Sequence, residues 1–114
     1  MVGDLDELFA GREAAVRETY DRIIAALTLL GPTRIEPKKT SIHLARRSAF
    51  AGVHPRKNAL LLNIRSAAPI ASARIRAREQ VSKNRFHNEL LLSSPAEVDD
   101  ELMGWLREAY ALSA

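Results

Sequence analysis

Three histidines, His43, His54 and His87, are the residues of this chain whose chemistry spans proton transfer and metal binding near neutral pH. They are scattered, and no pair stands at a metal-binding spacing. Strand alternation nevertheless brings His43 and His87 onto one sheet face near Asn63 and Arg65, with Glu89 close by. His43, Asn63 and His87 then form a polar, partly cationic cluster. The bland reading is a set of solvated strand residues. The sharper one is a small acid–base or hydrolytic site, which requires both imidazoles to point into one concave pocket. Surrounding arginines disfavour a bound cation, so neither a metal nor a cofactor is expected.

Other routes to catalysis are closed or weak. Cysteine is absent, which excludes disulfides, thiolate zinc sites and Cys nucleophiles. Asp99, Asp100 and Glu101 are consecutive on a helix, fan around its axis, and suit the dipole of a first turn better than a carboxylate pair. Lys38-Lys39-Thr40-Ser41 lacks the upstream glycines of a phosphate loop; Gly11, Gly31, Gly52 and Gly104 are isolated and read as turn, cap or bulge. Ser41, Ser93 and Ser94 have no nucleophile-elbow motif. Tyr20 and Tyr110 lie on apolar stripes, where a packed ring with a satisfied hydroxyl is the expectation.

Charge carries more information than any motif. The net charge is +3, but residues 34–87 hold thirteen basic and two acidic side chains, a net of +11. Residues 1–33 sum to −3 and residues 88–114 to −5. Solvated helix exteriors and protected strand edges explain this segregation without any ligand. An anion-binding sheet face explains it too, with Lys39, Arg46, Arg47, Arg65 and Arg85 as the binding residues and nucleic acid or an acidic protein as partner. Homodimerisation through the sheet, with no nucleic-acid role, is the alternative. Base stacking has only Phe50 and Phe86 to draw on in the basic segment, and the two clear helices are acidic, so nucleic-acid contact would be to the backbone.

The elements that must position these residues follow from periodicity. A chain of 114 residues with 46% hydrophobic residues suits a single domain, residues 1–114, with a core that needs no staples. Asp4 and Glu7 cap a short opening helix that Gly11 ends. Val16, Tyr20, Ile23, Ile24, Leu27 and Leu30 form the stripe of a longer helix, stopped by Gly31-Pro32. Ser94, Pro95 and Glu97 read as a capping box for a last helix, whose stripe includes Val98, Leu102, Trp105, Leu106 and Tyr110. Between them, 41–45 and 60–65 alternate as strands, a further strand spans Phe86–Leu92, and His54-Pro55-Arg56-Lys57-Asn58 reads as a turn. Residues 66–82 fit either a loop with a short helix or an irregular strand. The fold class is α+β: N-terminal helices, an antiparallel meander of about four or five strands, and a C-terminal helix, with the helices on one sheet face.

The order of these features resembles a bacterial family, domain of unknown function 5655. The stretches that carry it are LFAGREAAVRETYDRI, IEPKKTSIHLARR followed by AFAGVHP, and SSPAEVDDELMGWLREAYALS. The resemblance covers nearly the whole chain and implies a compact α+β domain, standing alone or attached to other modules, with no catalytic residues to carry over. Acidic residues at the N-terminus and short apolar runs point to a cytoplasmic protein without a membrane span. The sequence thus reads as a non-enzymatic binding or accessory domain.

Overall fold

The helical stretches become three helices in the computed structural model, which describes residues 3–114 and, at the N-terminus, side chains from Leu5 onward. They are α1 (Gly3–Phe9), α2 (Ala14–Thr28) and α3 (Asp100–Leu112). Asp4 already lies within α1, and the expected cap rests on a side chain outside the described ones. Val16, Thr19, Tyr20, Ile23 and Leu27 are the buried positions of α2, at the spacing of one helical stripe. Thr19 is accommodated there because its hydroxyl donates to Ala15 O at 2.7 Å.

Both punctuating glycines behave as their φ angles require. Gly11 sits at φ +74 and Gly31 at φ +147, where side chains are strained. Gly31 has a second reason: a Cβ there would lie 2.5 Å from Tyr110 Oη, which donates to Pro32 O at 2.8 Å. Tyr20 departs from expectation, since its hydroxyl is buried without a partner among the described residues and burial pushes its pKa up to about 12.

The cap of the last helix moves. Ser94, Pro95 and Glu97 form a separate 3-10 turn, Pro95–Glu97, and Ser94 makes no side-chain cap bond. Asp99 is the cap, accepting from Leu102 N at 3.0 Å, with Asp100 and Glu101 in the first turn. Glu97 Oε1 instead accepts from Ser93 N at 2.9 Å.

Six strands form one sheet in the order β1-β2-β3-β4-β6-β5, every neighbouring pair antiparallel. They are β1 (Arg34–Pro37), β2 (Ile42–Ala45), β3 (Ala49–Pro55), β4 (Leu60–Ser66), β5 (Ala77–Ser82) and β6 (Arg85–Leu92). His54 and Pro55 therefore belong to β3, and the turn begins at Arg56. A bulge between Leu44 and Ala45 leaves Phe50 as the extra residue of β3. Phe50 is buried and packs edge-on to Tyr110, ring centroids 5.5 Å apart. Gly52, by contrast, pairs regularly with His43 and Asn63 and marks no bulge, while Gly104 lies inside α3.

Helices α2 and α3 cover the same sheet face. Alternation places Ile42, Leu44, Val53, Leu62, Ile64 and Leu90 against them, all fully buried. Burying one such side chain contributes about 1.5–3 kcal/mol before entropy is counted. Asn88 shares this interior. Its amide donates to Ile64 O at 3.0 Å and Ser66 Oγ at 2.8 Å, and its Oδ1 accepts from Ile70 N at 3.3 Å. Asn88 thereby ties the 67–76 loop to the sheet. Among the described residues no helix is long and apolar enough to cross a membrane.

Candidate functional site

The face of the sheet away from the helices carries the chemistry. Register aligns His43, Gly52, Asn63 and Glu89 in one row across β2, β3, β4 and β6. Arg65 pairs with His87 in the next row toward one end, and His54 pairs with Leu61 in the next row toward the other. Arg85 precedes His87 by two residues and so points to the same face. Gly52 brings no side chain to the centre of this array. A depression of about 210 Å³ results, walled by His43, His54, Asn63, Arg65, Arg85 and His87.

Among the described residues no carboxylate lines this depression. Three carboxylates flank it in the register, Glu36 opposite His43, Glu89 opposite Asn63 and Glu79 opposite His87. Glu36 is paired with Arg34 at 3.1 Å, and Glu89 Oε2 lies 3.7 Å from Arg76 Nε. Arg65 Nη1 donates to Ser48 Oγ at 3.2 Å, and Arg85 Nε is buried with no hydrogen-bond partner. Burial, then the charge of Arg85, lowers the Arg65 pKa. Burial also lowers the His87 pKa, followed by Arg85 and Arg65, with Glu79 opposing. His54 is lowered by burial, then by Arg56 and His43, against Glu89. At neutral pH His54 and His87 are therefore neutral, each with one donor and one acceptor nitrogen. The arrangement offers hydrogen-bond donors and positive charge, which suits an anion. Among the described residues no group of three or more histidines or carboxylates is placed to hold a metal ion.

The sequence candidates divide. His43, Asn63, His87, Arg65 and Arg85 converge as neighbours of one depression. Lys39 does not join them: it lies in the β1–β2 turn, beside a separate depression against Glu7, Leu8 and Arg12 of the N-terminal segment. Arg46 turns toward the helices, its guanidinium 4.4 Å from the centre of the Tyr110 ring. Arg47 is exposed in the β2–β3 turn, and its N–H bonds Ser113 O at 3.0 Å.

The rest of the basic excess is dispersed. Arg74 binds Asp99 at 3.0 Å, Glu101 at 3.1 Å and Glu97 O at 2.8 Å, and sits over Trp105. Arg78 donates to Ile70 O, and Arg34 to Arg46 O and Glu36. These bonds hold loops and helix ends in place. Two site residues escape a reading of the sequence: His54, hidden by the proline after it, and Gly52, one of the isolated glycines that read as turn, cap or bulge. The signal for both is the alternation of Gly52, His54 with Val53, Pro55, which continues β3 to its end.

A family model described as Domain of unknown function (DUF5655) matches residues 5–113, and the chain belongs to that family. No curated protein and no solved structure matches the chain.

Proposed function

We propose that this member of the DUF5655 family is a binding domain that captures an anionic group on its open sheet face, without catalysing a reaction. The observation that carries this reading is the convergence of Arg65, Arg85, Asn63 and three imidazoles on a depression lined by no carboxylate. Dispersal of the other arginines favours one anionic group over a long polyanion track. Nucleic acid or an acidic protein would be held at a single phosphate or carboxylate, with the remainder passing over the sheet.

Binding of inorganic phosphate and of single- and double-stranded oligonucleotides at low and moderate salt tests the proposal. One or two captured duplex phosphates give a log–log salt slope of about −0.9 to −1.8. A slope several times steeper points instead to an extended track. Absence of binding by every anion at low salt refutes the reading. A second reading, homodimerisation, draws on β5, an edge strand exposed along its whole length, and on Val81 and Leu91, 49% and 40% exposed. A concentration-independent monomer in sedimentation excludes it.

A further inference from the structure

Gly52 is the least expected residue of the open face. Glycine inside a strand is destabilising relative to alanine. Two things usually justify it, a positive φ or a crowded neighbour, and neither is present. Gly52 is not among the positive-φ glycines, and its register with His43 and Asn63 is regular. A Cβ built on it would meet only Asn63 Cβ, at 4.0 Å, an ordinary contact. What a side chain would do is stand between His43 and Asn63, in the middle of the depression. The fold has no use for this glycine; the depression does.

Size and donor geometry narrow the ligand. At about 210 Å³ the depression is smaller than the roughly 300–1,000 Å³ of sites that enclose drug-sized molecules. It holds a charged group and its first attached atoms, while the rest of the ligand lies outside. The donors surround that space: Asn63 offers an amide, the neutral imidazoles one N–H each, and Arg65 and Arg85 planar forks. Such a ring suits an anion with oxygens on several sides. A terminal phosphate presents three oxygens and up to two negative charges near neutral pH. An internal phosphodiester presents two unsubstituted oxygens and one charge, and a carboxylate presents two oxygens in one plane.

We propose that the depression is a phosphomonoester site, taking the terminal phosphate of a small molecule or of a nucleic-acid strand, and that Gly52 is the residue that makes room for it. This rests on the anion-binding reading above and goes further by naming the phosphate class. Arg65 and Arg85 clamp the phosphate from the β4–β6 side, and His43 and His54 face it from the β2–β3 side.

Backbone-amide NMR titration of the full chain separates the outcomes. The probes are ribose 5-phosphate, dimethyl phosphate, and one short oligonucleotide with a 5′-phosphate or a 5′-hydroxyl. The phosphomonoesters are expected to bind at least about tenfold more tightly than their counterparts, with shifts centred on Gly52, Asn63 and His87. The tighter of ribose 5-phosphate and the phosphorylated oligonucleotide identifies the source. Gly52→Val should lower that affinity by at least about tenfold while the thermal midpoint holds or rises. Gly52→Ala, the smaller change, serves if the valine variant does not fold, and Arg85→Gln should weaken binding with Gly52 intact. Equal affinity for monoester and diester overturns the phosphomonoester assignment and leaves the anion reading standing. Undiminished binding by the Gly52 variants overturns the role of the glycine. No binding by any probe at low salt ends both.

Discussion

Asn88→Ala probes the contact that ties the 67–76 loop to the sheet. The side chain is fully buried and makes three hydrogen bonds, to Ile64 O, Ser66 Oγ and Ile70 N. Each is worth about 1 kcal/mol net, and a buried donor left unpaired costs about 1–3 kcal/mol. Ile70 N–H would be such a donor. The expected loss is about 3–4 kcal/mol, a large share of the 5–15 kcal/mol that stabilises a typical domain. At about 4 °C per kcal/mol for a chain of this length, the thermal midpoint should fall by about 12–16 °C. Urea unfolding followed by far-UV circular dichroism measures the loss, with an unchanged m-value showing that the transition is the same one. Asn88→Asp keeps the shape but replaces the donor with a carboxylate. Its folded-state pKa would be raised, so the charge penalty is absent below the unfolded value of about 3.9, where one of the two donated bonds is still missing, and grows as pH rises through the folded value. A loss under about 1 kcal/mol for the alanine variant, or a pH-independent loss for the aspartate variant, would refute this account of the clamp.

Three further perturbations have distinct signatures. Gly31→Ala should cost more than about 2 kcal/mol in urea unfolding, because strain at φ +147 adds to a clash with Tyr110 Oη. Gly11→Ala, with open space around it at φ +74, should cost about 1 kcal/mol. Asp99→Ala should lose about 1 kcal/mol as the cap of α3, while Ser94→Ala changes stability by no more than a few tenths. The pH profile follows from His54 and His87, whose pKa values burial and neighbouring charge depress. The unfolded chain protonates first, so their contribution is complete above about pH 6.5 and lost as pH falls through the lowered folded values. Thermal midpoints from pH 7.5 to 5 should fall accordingly, and NMR titration should show the His87 pKa rising in Arg85→Gln.

Periodicity exposes much of the fold in the sequence alone, and the gaps have physical causes. Strands β2, β4 and β6 announce themselves because one of their faces is buried, so Ile42, Leu44, Leu60, Leu62 and Leu90 must alternate with other residues. β5 does not, since both its faces meet solvent and Ala77-Arg78-Glu79-Gln80-Val81-Ser82 carries no apolar rhythm. β1 is four residues long and ends on a proline, which reads as loop. The cap of α3 is Asp99 and not Ser94 because Ser-Pro-Ala-Glu suits a 3-10 turn as well as a helix start. Within the site, the facing of His43, Asn63 and His87 followed from alternation. Counting charge does not say which arginines converge: Arg65 sits in β4 on the open face, whereas Arg46 follows the end of β2 and lies over the Tyr110 ring.

The placement of β6 has a consequence for how the molecule opens. β5 is held at the sheet edge by hydrogen bonds to β6 and buries no side chain of its own, so it belongs to the least protected part of the ladder in amide exchange. β6 pairs on its other side with β4 along its whole buried length. Detaching β5 therefore removes the edge without releasing His87, which β4 continues to hold beside Arg65. Opening of β5 should cost the site only the support of Arg85, which pairs with Ser82 beyond the β4 register, while Asn63, Arg65 and His87 stay in place up to the exchange limit of β4 and β6.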